Sequence, residues 1–346
     1  MEAKVQQAAA GATAKKGNTK KVFKVLERIT ESVFFLCAAA AVIALSVIPT
    51  EAVIINRFLV ANELGVPPVP FLMAETMASN IGGTATLIGD PPNLIIGSVA
   101  NLDFMAFIIN LAPFILAVMV VYCIALWIHY SKRMHVTVEK RALIMELNEN
   151  AAITDRSNLR RGGIVMILTI IGFLVHGAAG IQPCVVAMTG AALALAICKV
   201  DIDHALEKIE WSTLFFFMAL FILVCGAEEC GLMAKIGGVL QLMGDWPVPV
   251  IVLVIMWGSA LAAAVMNNVS FTAAMVTVVA SFISVTPAFR DSVPCQHLLW
   301  WGLALSVCLG GNASLVGAAA NLVTVGIAGK NGHKVTFGQF LGYGVP

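Results

Sequence analysis

Apolar residues run in long blocks along most of this chain, at residues 32–58, 71–100, 104–130, 162–178, 181–198, 212–226, 247–285 and 297–327. Most of these blocks approach or exceed the roughly 20 residues that a helix needs to cross a ~30 Å hydrocarbon layer. The outer helices of a water-soluble core carry a polar stripe at helical spacing, and residues 111–128 carry none. Each block is therefore expected to be helical in lipid, where a helix satisfies its own backbone hydrogen bonds without water. Composition agrees, since 59% of the 346 residues are hydrophobic and 12% charged, against about a quarter charged in a soluble domain. The expected fold is an all-α integral membrane protein.

Charge gives the sidedness. Seven Lys or Arg residues fall in residues 1–30 and another seven in residues 131–161, and short basic segments stay cytoplasmic. Residues 1–30 read as a polar cytoplasmic tail, 31–130 as a first transmembrane repeat, 131–161 as a cytoplasmic loop and 162–346 as a second repeat. Three apolar blocks lie between the two basic segments, and equal sidedness requires an even number of crossings. The first block holds Pro49, Glu51, Asn56 and Arg57 and is expected to dip in and return as a re-entrant hairpin. In the second half, residues 247–285 carry Asn267 and Asn268 at their middle, either as the tip of two half-length arms or between two full spans.

The chain repeats itself. GGTATLIGDPPNL at 82–94 aligns without a gap on GGNASLVGAAANL at 310–322, and Phe104, Phe107 and Pro113 have the spacing of Phe337, Phe340 and Pro346. On the charge argument the copies cross in opposite directions. Such inverted repeats place a binding site at mid-membrane where two broken helices meet. Glycines beside Asn, Thr and Ser unwind a helix there, exposing amides and carbonyls that are tolerated at depth only when they line a cavity or are buried in protein. Half-helix N-termini suit an anionic substrate, and carbonyl and side-chain oxygens suit a small cation. Sodium is the candidate cation at Thr84, Thr86, Asn312 and Ser314, beside the glycine pairs Gly82–Gly83 and Gly310–Gly311.

Single residues refine the picture. Asp90 precedes Pro91 and Pro92 and is expected either to cap a half-helix or to titrate in a proton-coupled cycle, as an ionisable residue at this depth is a functional candidate. Asn267, Asn268, Ser270 and Thr272 form a polar tip. Glu228, Glu229 and Lys235 suggest a surface helix, Trp300 and Trp301 interfacial anchors, and His176 a polar residue at a membrane end. The eight cysteines show no C-x-x-C spacing and read as small packing residues. No H-E-x-x-H or Walker loop is present, so no enzyme activity, cofactor or nucleic-acid partner is expected beyond a coupling sodium ion or proton.

SNIGGTATLIGDPPN at 79–93, NNVSFTAAM at 267–275 and GGNASLVGAAANLV at 310–323 resemble the signatures of the ion transporter superfamily with a citrate-transporter-like domain, in the branch of the melanosomal P protein, arsenite efflux permeases and sodium-proton antiporters. The resemblance implies an inverted-repeat transporter fold with re-entrant helical hairpins and two unwound transmembrane helices. It also implies alternating access and a homodimer. Asn80, Gly82, Gly83, Thr84, Thr86 and Asn93 are then expected to meet Asn267, Asn268, Thr272, Asn312, Ser314 and Asn321, with Asp90 and Gly311 beside them in the two motifs. The family's Asp-Asn and Thr pairs of the first hairpin are replaced by ALSVIPTEAVIIN at 44–56. The chain is further expected to lack helices at both ends, since only a lysine-rich tail precedes the first hairpin. Secondary transport of a small ion is the expected function, with an anion channel or a non-transporting relative as alternatives.

Overall fold

The computed structural model describes residues 67–131, 156–198, 201–207, 209 and 211–345. The basic tail, the first hairpin with Pro49, Glu51, Asn56 and Arg57, and most of the 131–161 loop lie outside these residues. The elements are α1 (Pro68–Gly83), α2 (Pro91–Ala100), α3 (Phe104–Asn110), α4 (Ala112–Tyr130), α5 (Arg156–Ala179), α6 (Pro183–Cys198), α7 (Ile202–Glu207), α8 (Trp211–Glu229), α9 (Leu232–Gln241), α10 (Val248–Val265), α11 (Asn268–Val285), α12 (Pro287–Arg290), α13 (Val293–Gly310), α14 (Ala319–Lys330) and α15 (Phe337–Gly344).

Five of the described helices, most of α5 among them, are long and apolar enough to span a bilayer. Apolar side chains such as Leu116, Val121 and Ile128 on α4, and Ile167 and Leu168 on α5, stand exposed. Such a surface is stable against lipid and not against water. The polar interruption at Met266 and Asn267 separates two arms of 18 residues each, α10 and α11, and at 1.5 Å per residue each reaches about 27 Å. These are long arms, and the half-length alternative is not what forms.

The core ties the two halves together. Ile96 and Phe107 of α2 and α3 pack with Ile251 and Ile255 of α10, Phe282 of α11 and Leu303 and Val307 of α13. A second cluster joins Leu72, Met73 and Met77 of α1 to Ile327 and Ala328 of α14 and Phe340 of α15. The matched aromatic positions of the repeat do matched work, since Phe107 and Phe340 are both fully buried in short helices opened by a side-chain N-cap, Asp103 and Thr336 respectively. Between α2 and α3 the chain bends by 110°. Asn101 takes the left-handed conformation at that corner, φ 52°, which Asn adopts at lower cost than most residues.

Two expectations need correction. Trp300 is buried in the core and Trp301 meets Phe107 edge-on, centroids 5.0 Å apart, so neither is an interfacial anchor. Their helix packs along α10. His176 stands in the last turn of α5, at the end of a candidate span as expected, and is buried there; its Nε2 accepts from the Phe104 N–H at 3.1 Å and its Nδ1 lies 2.9 Å from the Ile181 carbonyl, which fixes the end of α5 against the α2–α3 corner.

Candidate functional site

The sequence repeat is a repeat of backbone geometry. Helix α1 stops at Gly83 and α13 at Gly310, and α2 and α14 begin after Asp90 and Ala318. Asp90 has φ −141°, ψ 136° and Ala318 φ −140°, ψ 148°. Within the breaks, the bonds Thr84 N–H to Ile81 O, Ala85 to Gly82, Gly89 to Thr86 and Asn93 to Asp90 recur as Asn312 to Leu309, Ala313 to Gly310, Gly317 to Ser314 and Asn321 to Ala318. Each break folds back on itself through a pair of glycines. A Cβ on Gly89 would enter the Gly83 backbone, and one on Gly317 would enter that of Gly311.

One asparagine staples each turn. Asn93 Nδ2 donates to the carbonyls of Gly83 (3.4 Å), Thr84 (3.2 Å) and Thr86 (2.9 Å). Asn321 Nδ2 donates to those of Gly311 (2.9 Å) and Ser314 (2.8 Å). Both asparagines are fully buried, where unwound carbonyls left bare would each cost about 1–3 kcal/mol. The repeats then bond each other in an exchanged register. Asn80 donates to Asn321 Oδ1 at 2.9 Å, and its counterpart Cys308 donates to Asn93 Oδ1 at 3.4 Å. Reciprocal contacts of this kind are the mark of a two-fold relation. Asn80 also donates to Asn312 Oδ1 at 2.8 Å, and Thr76 to the Thr324 hydroxyl at 2.8 Å. These pairs run α1 and α14 antiparallel.

The α10–α11 tip docks on both breaks. Asn267 caps α11 by accepting from the Val269 N–H at 3.0 Å. The Asn268 N–H donates to Gly317 O at 2.9 Å, and its side-chain Nδ2 lies 3.4 Å from Asp90 Oδ2. Ser314 donates to Ala264 O of α10, while Thr84 and Thr272 donate to carbonyls four residues back, Asn80 O and Asn268 O. Helices α2, α11 and α14 thus begin side by side.

A family model described as a citrate transporter matches residues 19–305. This chain belongs to the citrate transporter family. It is similar to an uncharacterised transporter of Mycobacterium tuberculosis, 36% identical over 82% of this chain and 65% of that protein, and to a 46 kDa membrane protein of Mycobacterium leprae, 35% identical over 83% and 66%. It is also similar to the mouse P protein, 27% identical over 92% of this chain and 47% of that protein. The chain therefore spans about two thirds of the length of the mycobacterial relatives and about half of the P protein. The match agrees with the multi-pass membrane fold.

In this member of the citrate transporter family the expected site residues divide by what their polar atoms already do. Asn80, Asn93, Asn321, Thr84, Thr272 and Ser314 hold the breaks together, and Gly83 and Gly311 let them fold back. Gly82 has only the Met119 methyl near a built Cβ, at 3.8 Å. Groups with capacity left over are fewer: the half-buried Thr86 hydroxyl, Asn312 Nδ2, Asn267 Nδ2, the Asp90 carboxylate and Asn268 Oδ1, which is buried with no partner. Asp90 stands at the N-cap of α2 but makes no capping bond, since its side chain turns to Asn268 instead. Three members escaped the sequence reading. Cys308 was grouped with the packing cysteines, although alignment of the repeats pairs it with Asn80, while Thr324 directly follows the motif at 310–323 and its partner Thr76 precedes the motif at 79–93. No group of three His, Cys, Asp or Glu residues suited to a metal occurs among the described residues.

Proposed function

We propose that this chain is the translocating core of a secondary active transporter for a small anion, a carboxylate or oxyanion, working by alternating access. The observation that carries the proposal is the second break. There the N–H groups of Ala319 and Ala320 open α14 with no backbone partner among the described residues. Unbonded N–H groups at a helix start attract anions. The description of the family as citrate transporters supports the same substrate class. Alternating access needs an element with two arrangements, and the two breaks bonded in exchanged register against the tip of α10 and α11 are our candidate for it. Thr84, Thr86, Asn312 and Ser314 remain the candidate oxygen ligands of a coupling sodium ion, with Asp90 as the candidate proton carrier. The basic segments at 1–30 and 131–161 support placing both on the cytoplasmic side. The family resemblance supports a homodimer, which cross-linking in native membranes tests.

The deciding experiment is uptake by the full chain in proteoliposomes of radiolabelled citrate, succinate, phosphate and arsenite under imposed sodium or pH gradients. Concentrative uptake of one anion that collapses with the gradient is expected. Passive currents with no gradient coupling point to a channel, and no flux with any of the four refutes the proposal.

A further inference from the structure

The two breaks share one backbone, yet the first is braced from outside and the second is not. Leu87 of the first break is 2% exposed. It sits in a notch that Gly97 of α2 leaves open, where a Cβ would enter the leucine side chain and stand 3.3 Å from the Phe107 ring. The 228-residue offset of the repeat puts Leu315 and Val325 in the matching places of the second break. A valine side chain fills that notch, and Leu315 is only partly buried. The corners that follow differ in the same sense. At the first, His176 accepts the Phe104 N–H on Nε2, so its own proton lies on Nδ1 and goes to the Ile181 carbonyl. Phe173, one turn earlier on α5, stacks on Phe104 with centroids 5.7 Å apart, and Gly177 lies so close to Asp103 that a Cβ would enter its carboxylate. At the second corner Phe337, the counterpart of Phe104, is 49% exposed, and its N–H has no acceptor among the described residues.

We infer that His176 is a positioning residue for the first break, which it holds in shape through Phe104, Phe107 and Leu87, and that the unbraced second break is the half of the site that yields when the protein changes state. Leu87, Phe104, Phe107 and Phe173 belong to one packed cluster, and close-packed side chains pass a displacement on instead of absorbing it. Without the His176 acceptor the Phe104 N–H at the start of α3 is left bare, and the α2–α3 corner loosens. Phe107 then backs away, and Leu87 loses the wall that keeps the turn at Thr84 and Thr86 compact. The α5–α6 hairpin is suited to be the fixed post. Ile167 and Leu168 of α5 and Met188 of α6 are exposed as a lipid-facing surface is, while Phe173 and Val186 join the core cluster. This rests on the breaks being a solute site, but not on which anion is carried.

The test is thiol labelling of the full chain in proteoliposomes, with the eight native cysteines replaced by serine and a reporter at one of two matched, partly buried positions, Ala85→Cys in the first break or Ala313→Cys in the second. His176→Phe should speed labelling at Ala85→Cys about tenfold, the size of one lost buried hydrogen bond, and change it at Ala313→Cys by less than about twofold. His176→Gln, whose amide oxygen can accept the Phe104 N–H, should restore the slow rate. If His176→Phe does not fold, Gly177→Ala opens the same joint from the backbone of α5, because its methyl displaces Asp103 while alanine suits the helix. With Leu87→Ala also present, His176→Phe should add less than about twofold at Ala85→Cys; a full further tenfold there overturns the route through Leu87. In uptake, His176→Phe should raise KM about tenfold and His176→Gln stay near wild type. Equal acceleration at both reporters, which a merely weakened fold produces, overturns the inference, and so does His176→Gln labelling as fast as His176→Phe. Unequal labelling without any anion flux would leave the brace standing and sink the transport proposal, while anion uptake with equal labelling would do the reverse.

Discussion

Removing the side chain of Asn321 separates a strut from a ligand. Its Nδ2 serves Gly311 O and Ser314 O, and its Oδ1 receives Asn80 Nδ2. In Asn321→Ala the Gly311 carbonyl loses the one bond described for it, which at this depth costs about 1–3 kcal/mol. Ser314 O keeps the Gly317 N–H and Asn80 keeps Asn312, so each of those losses is about 0.5–1.5 kcal/mol. The sum is on the order of 4 kcal/mol, a size reserved for losses of a buried network. Asn312→Ala removes a single bond to Asn80 and should cost about 1 kcal/mol. Equilibrium unfolding in mixed micelles of increasing dodecyl sulfate content measures the difference between the two. Asn321→Asp should not rescue, because it turns a donor into an acceptor that faces two carbonyls. If Asn321→Ala proves no less stable than Asn312→Ala and only raises the substrate KM, Asn321 is a ligand and the account of the staples fails.

Gly82→Ala and Gly310→Ala occupy equivalent positions of the repeat but should differ sharply. A methyl on Gly82 meets only a flexible methionine end, whereas one on Gly310 enters the backbone of Ala260. Gly82→Ala should stay within about 1 kcal/mol of wild type and Gly310→Ala lose about 3 kcal/mol or its folded yield in detergent, and equal stability would refute the close approach of α13 and α10. Asn312→Ala and Thr86→Ala should insert normally yet lose at least tenfold in uptake; wild-type rates in both would remove them from the site. Asn267→Ala should cost about 1 kcal/mol through the lost cap of α11 and Asn267→Ser restore most of it, whereas no loss in the alanine variant would show that the cap contributes nothing.

Much of this was legible because the repeat is written in residues that the backbone geometry demands. Glycines at 83, 89, 311 and 317 stand where two backbones touch, and Asn93 and Asn321 stand where a side-chain amide must replace helical donors, so the two lines of sequence align on the residues that shape the turns. What could not be read was the direction in which each polar atom points. Asn93 and Asn268 look equally suited to a solute, yet one spends its donors and acceptor on the protein and the other keeps an oxygen unspent. Cys308 was hidden for a related reason, since a thiol is among the most buried of side chains and only the 228-residue offset between Gly82 and Gly310 pairs it with Asn80. The same offset sets Asp90-Pro91-Pro92 against Ala318-Ala319-Ala320. Duplication accounts for the shared turn, and the two copies differ at its exit, where Pro91 and Pro92 follow a carboxylate and offer none of the N–H groups that Ala319 and Ala320 keep after Ala318.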